Sequence, residues 1–123
     1  MKRTVYIVDD DPSLLEGMEI ALAEHKFHSV GFETGRSFWK HIAQAKPSAV
    51  VLDIGLNGES GDMIANKLKE SAEYKNLPVI LISAENGLAQ KAKSAHANAF
   101  LAKPFPLEKL IHVLEESISS RSE

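Results

Sequence analysis

The side chains best suited to chemistry in this sequence all stand directly after short apolar runs. Asp9, Asp10 and Asp11 follow Thr4 to Val8, and Asp53 follows Ala49 to Leu52. Ser83 closes Pro78 to Ile82, and Lys103 follows Ala99 to Ala102. Two or three carboxylates within about 4 Å of one another repel by several kcal/mol at an effective dielectric of about 20, and they raise one another's pKa. A divalent cation resolves that conflict, and an all-oxygen donor set points to Mg2+ rather than zinc. Asp10 and Asp53 are the candidate carboxylates, and the carbonyl of Gly55 is a further oxygen. A carboxylate can also attack phosphorus and form an aspartyl phosphate. Lys103 and Ser83 would then meet the equatorial oxygens of the transferred group, where its negative charge lies.

Residues so far apart in sequence converge only if the runs they terminate are strands of one parallel sheet. The pattern fits that requirement. Ala49-Val50-Val51-Leu52 and Val79-Ile80-Leu81-Ile82 are continuous apolar runs, as expected of strands covered on both faces. Segments of helical period lie between the runs. Leu14, Leu15, Met18, Ala21 and Leu22 share one face, preceded by Asp11 as an N-cap and Pro12 at the first helical position. Phe38, Ile42 and Ala45 mark a second helix opened by Gly35 and Ser37, and a short strand is expected around residues 29–32. Met63, Ile64 and Leu68 mark a third helix, Leu88 to His96 a weaker fourth, and Leu107, Leu110, Ile111, Leu114 and Ile118 the last. Five βα units of this kind predict an α/β fold, an open doubly wound parallel sheet with helices on both faces. Ligands bind such sheets at the carboxyl ends of the strands.

The totals narrow the function. A chain of 123 residues, 44% apolar and 25% charged, is the size and composition of one soluble domain. Its net charge of −3, with basic residues scattered apart from Lys91 and Lys93, argues against nucleic-acid binding by this chain alone. The absence of cysteine removes disulfides and thiolate zinc sites. The opening Met1-Lys2-Arg3 is basic, but the apolar run behind it stops at Asp9, too soon for a secretory segment. No stretch approaches the roughly 18 apolar residues of a membrane span. A cytoplasmic protein without membrane insertion is expected, with residues 1–119 as the domain and 120–123 as a polar tail.

Four ordered motifs carry a resemblance to the response-regulator receiver family of two-component signalling, similar to the chemotaxis response regulators. They are Ile7-Val8-Asp9-Asp10-Asp11-Pro12, Val51-Leu52-Asp53-Ile54 with Gly61 eight residues after the aspartate, Pro78-Val79-Ile80-Leu81-Ile82-Ser83-Ala84, and Phe100-Leu101-Ala102-Lys103-Pro104-Phe105. The resemblance implies a flavodoxin-like sheet in the order 2-1-3-4-5, flanked by five helices. It implies that Asp53 is the phosphoacceptor and that Asp9, Asp10, Asp53 and the Gly55 carbonyl form the Mg2+ site. Ser83, Ala84 and Lys103 would contact the phosphoryl group. Ser83 and Phe100 would act as the switch, although an aromatic residue in a short strand also suits a plain core role. The implied donor is a phosphohistidine on a histidine kinase or phosphotransfer protein, and the output passes to a downstream protein through the surface of the fourth helix, fifth strand and fifth helix.

Several positions depart from the family pattern. Asn57 replaces a usual proline, and Asn57-Gly58 still makes a good turn in what is expected to be a looser loop. Gly55 brings no side chain to the site, and with Glu85 it is a candidate for tuning phosphoryl lifetime. His96 replaces a glycine that normally serves a left-handed cap, so a different geometry is expected there. Phe38 and Trp39 read as a packed helix face, and Glu59 as a loop residue near the site. Two rival functions remain open: a receiver-like interaction module that works without phosphorylation, and a Mg2+-dependent aspartyl phosphatase. The phosphatase reading lacks the usual second aspartate two residues after the nucleophile, where Gly55 stands.

Overall fold

The protein is described as a computed structural model covering residues 3–121. Five strands alternate with five helices: β1 (Arg3–Val8), α1 (Pro12–Glu24), β2 (Phe27–Phe32), α2 (Gly35–Ile42), β3 (Ala49–Asp53), α3 (Gly61–Glu70), β4 (Val79–Ser83), α4 (Leu88–Ser94), β5 (Ala99–Ala102) and α5 (Leu107–Arg121). The strands pair in parallel in the order β2-β1-β3-β4-β5, the flavodoxin-like arrangement.

Alternation along each strand divides the core into two layers, because successive side chains leave a strand on opposite faces. Val5, Ile7, Val51, Ile80, Ile82 and Leu101 pack with Met18, Leu22, Leu110 and Leu114 of α1 and α5. Tyr6, Val8, Val50, Leu52 and Leu81 pack on the other face with Phe38 and Ile42 of α2, Ile64 and Leu68 of α3, and Leu88 and Ala92 of α4. β3 and β4 are buried along their whole lengths, as their unbroken apolar sequences require.

Local chemistry sets the helix starts. Asp11 caps α1, its carboxylate accepting from the backbone N–H of Ser13 at 3.0 Å and of Leu14 at 3.4 Å, with Pro12 opening the helix. Thr34 caps α2 by accepting from Ser37 N–H at 3.2 Å. One expectation is corrected. His96 does not change the end of α4; it takes up the left-handed conformation itself, with φ of 58°. Its N–H donates to Lys93 O at 3.2 Å, and Ala97 N–H donates to Ala92 O at 2.9 Å, the paired bonds of a glycine-type helix stop. The two backbone bonds and the turn into β5 hold a side chain where glycine is usual. The backbone of α5 continues through Ser120 to Arg121. Nothing in Ser119-Ser120-Arg121 breaks a helix, and residues 122–123 of the expected tail lie outside the described residues.

Candidate functional site

Strand parity decides which polar side chains meet. Val8 is paired with Leu52, so Asp9 and Asp53 are the next neighbours along adjacent strands. Asp53 is in turn level with Ile82, and Ile82 with Leu101. Lys103 lies two residues past Leu101 and therefore leaves β5 on that same side of the sheet. The backbone holds this edge together beyond the strands: Asp9 N–H donates to Phe32 O at 3.0 Å, Ile54 N–H to Ile82 O at 3.0 Å, and Lys103 N–H to Ser83 O at 2.8 Å.

The Lys103 ammonium bridges the two acids, with Nζ 2.9 Å from Asp9 Oδ2 and 3.5 Å from Asp53 Oδ1. Asp9 is fully buried and Asp53 only 5% exposed, whereas Asp10 is open to solvent. Carboxylate oxygens of Asp9, Asp10 and Asp53 all lie within 4.8 Å of one another. Asp9 Oδ1 accepts from Asp11 N–H at 2.9 Å, and Asp53 Oδ1 accepts from Gly55 N–H at 3.3 Å. Asp9 Oδ2 is buried and has the Lys103 ammonium beside it as its partner.

The electrostatics follow from this packing. Burial raises the pKa of Asp53, the charge of Asp9 raises it further, and Lys103 with the Gly55 N–H offsets part of the rise. Burial alone would lower the pKa of Lys103, but the hydrogen bond and charge of Asp9, joined by Asp53, outweigh it and the net shift is upward. Three carboxylates against one ammonium leave an excess of negative charge in a partly buried, all-oxygen cluster. That donor set suits a hard divalent cation such as Mg2+, which favours carboxylate and carbonyl oxygens.

Gly61 explains how the loop after Asp53 is held. A Cβ on Gly61 would lie 2.4 Å from Asp53 O and 2.7 Å from Asp53 C, so the start of α3 rests directly on the peptide of Asp53. No larger residue fits there without moving the strand end.

The other expected site residues are placed differently. Ser83 is buried, but its parity is opposite to that of Asp53, and its hydroxyl accepts from Glu85 N–H at 2.8 Å. Ala84 and Gly55 are exposed at the same edge. The Glu85 carboxylate turns toward Lys91 of α4, 3.9 Å away, and stays out of the carboxylate cluster. Phe100, level with Leu81, lies on the α4 side of the sheet and is 46% exposed, so it is not a core residue. One contact escaped the sequence reading: Trp39 Nε1 donates to Glu59 Oε1 at 2.7 Å, across 20 residues of chain. No spacing rule signals a pair of that kind.

With this geometry in hand, comparison with known proteins is decisive. The sequence profile of the response regulator receiver domain matches residues 5–115. The chain belongs to the response-regulator receiver family. It is 30% identical over 116 residues to the response regulator GtcR of Aneurinibacillus migulanus, covering 92% of this chain and 47% of that protein. It is 30% identical over 121 residues to the DNA-binding transcriptional regulator NtrC of Escherichia coli, covering 97% of this chain and 25% of the relative. The chain thus spans less than half the length of either. The fold matches that of a CheY-like response regulator receiver domain protein from Methanospirillum hungatei, with a TM-score of 0.91 at 18% identity, covering 99% of this chain and 98% of that one. Receiver domains of two-component response regulators are phosphorylated on aspartate and bind Mg2+ through acidic residues, and the family implies a histidine kinase or phosphotransfer protein as donor. No described helix is long and apolar enough to cross a membrane.

Proposed function

We propose that Asp53 is the phosphoacceptor of this receiver domain and that Asp9, Asp10, Asp53 and the Gly55 carbonyl hold Mg2+. The observation that carries the proposal is the Lys103 ammonium lying between Asp9 and Asp53 at the rim of the sheet. A bound Mg2+ would neutralise the carboxylates and draw phosphoryl oxygens toward them. Asp53 supplies the nucleophilic oxygen: a P–O bond forms to it as the P–N bond of a phosphohistidine breaks, and the imidazole leaves with the bonding electrons. Lys103 is positioned to pair with a phosphoryl oxygen in place of one of its present carboxylates. Ser83 would leave its bond with Glu85 N–H to reach the same group, and the backbone N–H of Ala84 is a further donor at that edge.

Phosphorylation adds charge to a cluster already short of cations, and it biases a two-state surface. The exposed ring of Phe100 is the element that would turn inward as Ser83 moves, altering the face built from α4, β5 and α5 for a downstream protein. Gly55 offers no carboxylate for acid/base work two residues past Asp53, so the domain acts as an acceptor and not as a turnover phosphatase. Glu85 would influence phosphoryl lifetime from the rim rather than from within the cluster. Residues 1–119 form the acting unit, a cytoplasmic one, with the donor kinase on the same side of the membrane.

The test is an intact mass after incubation with Mg2+ and acetyl phosphate. One phosphoryl adduct is expected, lost on chelation of Mg2+ during the incubation and absent in Asp53→Asn. An adduct that survives in Asp53→Asn would refute the assignment. Sustained turnover of a phosphomonoester would favour the phosphatase.

A further inference from the structure

The segment between Asp53 and α3 must hold the Gly55 carbonyl still if that oxygen is to serve a cation. Its sequence works against this, since Asn57-Gly58 replaces a rigid turn and Gly58 is in the left-handed region with φ of 80°. Two buried side chains, Ile54 and Leu56, anchor the first half of the segment in the core. The second half has no apolar anchor: residues 57 to 60 are Asn, Gly, Glu and Ser.

Glu59 provides the missing attachment. Its Oε1 accepts the Trp39 indole N–H at 2.7 Å, and its Oε2 pairs with the Lys67 ammonium. Its side chain lies over the first residue of α2, where a Cβ on Gly35 would come within 3.3 Å of Glu59 Oε1 and 3.8 Å of Glu59 Cβ. Gly35 therefore leaves the space that the carboxylate fills. Burial pushes the Glu59 carboxyl up, but the Lys67 ammonium and the Trp39 indole N–H together hold it below the usual carboxylate range. The Lys67 side chain is 59% exposed, so its ion pair adds little by itself, whereas Trp39 is half-buried with its ring packed edge-on against core residue Phe38.

We infer that Trp39 and Glu59 are positioning residues that pin the loop bearing the Gly55 carbonyl, so that the metal and phosphoryl site is pre-formed before a cation arrives. The inference rests on the Mg2+ reading above. It has a second consequence. Trp39 is the sole tryptophan of the chain, and its N–H is bonded to the loop that closes on the site. Its fluorescence should therefore respond when the loop tightens around a cation.

The experiment is a calorimetric Mg2+ titration of the full chain and its variants, paired with amide hydrogen exchange of residues 54–60 in metal-free protein. Glu59→Ala and Trp39→Phe should each weaken Mg2+ by about tenfold, the lower end of the effect of outer-sphere partners. The double variant should be no weaker than either single one, because both remove the same bond. Glu59→Gln keeps an acceptor for the indole and should recover most of the affinity, a rescue that a general packing defect would not give. Exchange of 54–60 should quicken in Glu59→Ala and Trp39→Phe while β4 amides stay protected. Unchanged Mg2+ affinity in both single variants would overturn the inference. Should the wild type bind no Mg2+, the metal reading itself fails; the pinning is then decided by exchange, where unaltered rates in 54–60 overturn it and faster rates uphold it.

Discussion

Two half-buried lysines stand at opposite ends of one sheet, and their surroundings differ in kind. At the amino-terminal end, Lys69 Nζ donates to Leu77 O at 2.9 Å and to Asn98 Oδ1 at 2.8 Å, with Lys75 O at 3.5 Å, all of them neutral oxygens. Burial lowers its pKa. At the carboxyl-terminal end, Lys103 faces the carboxylates of Asp9 and Asp53, and its pKa is raised. The first ammonium is satisfied by neutral oxygens and closes the joint between α3, β4 and the turn before β5. Asn98 Oδ1 also accepts from Val79 N–H at 2.8 Å, which ties the two strand starts together. The second ammonium is outnumbered, leaving a site that still calls for positive charge. One end of the sheet is satisfied as built, and the other carries more carboxylates than cations.

Removing each lysine separates these roles. Lys103→Met leaves the buried Asp9 carboxylate without its cation and should cost the metal-free protein about 3 kcal/mol, the low end for breaking a buried pair because Lys103 is partly exposed. Thermal unfolding should show that loss, and Mg2+ should restore more stability to this variant than to the wild type. Lys69→Met should cost about 2 kcal/mol through lost charge-to-carbonyl hydrogen bonds. Its unfolding midpoint should drop equally with and without Mg2+, since nothing at the acidic rim has changed. A Lys69→Met variant with weakened Mg2+ binding would show the two ends to be coupled.

Asp53→Asn acts in the opposite sense. Its folded pKa lies above the unfolded value, so the native state binds the proton more tightly. The stability gained from that group is present below the unfolded pKa, is lost as pH rises through the raised folded pKa, and stays lost at neutral pH. The asparagine removes this penalty, and metal-free Asp53→Asn should be more stable at pH 7 by about 1 kcal/mol, a shift of about 4–8 °C for a domain near this size. Its advantage should vanish in acid, which urea unfolding at several pH values would reveal. The smallest effect is spectroscopic. In an NMR titration of the lysine side chains, Lys69 should lose its proton below the free-lysine value and Lys103 above it. In Asp53→Asn, Lys103 should move back toward free lysine.

The convergence of the candidate site residues was legible in the sequence because they stand at strand ends. Asp9, Asp53 and Lys103 each follow an apolar run, and a parallel sheet brings such ends to one edge; counting two residues on from Ile7, Val51 and Leu101, which share one face, gives their common side. Ser83 was visible as a strand-end hydroxyl, while its bond to Glu85 N–H depends on a turn that no periodicity encodes. His96 misled because propensity favours glycine in left-handed caps, whereas two backbone bonds hold a histidine there at modest cost. Lys69 and the Trp39–Glu59 pair were hidden for a different reason. Their partners lie far away in sequence, and one hydrogen bond between polar residues leaves no mark on composition or period.

The most direct test of the account is a Mg2+ titration followed by backbone amide shifts in the wild type, Asp10→Asn and Asp53→Asn. The account predicts saturable changes centred on residues 9–11, 53–55 and 103, strongly weakened in both variants, with Lys69 and Asn98 unmoved. Saturable shifts centred elsewhere, or the same binding in Asp53→Asn as in the wild type, would contradict it.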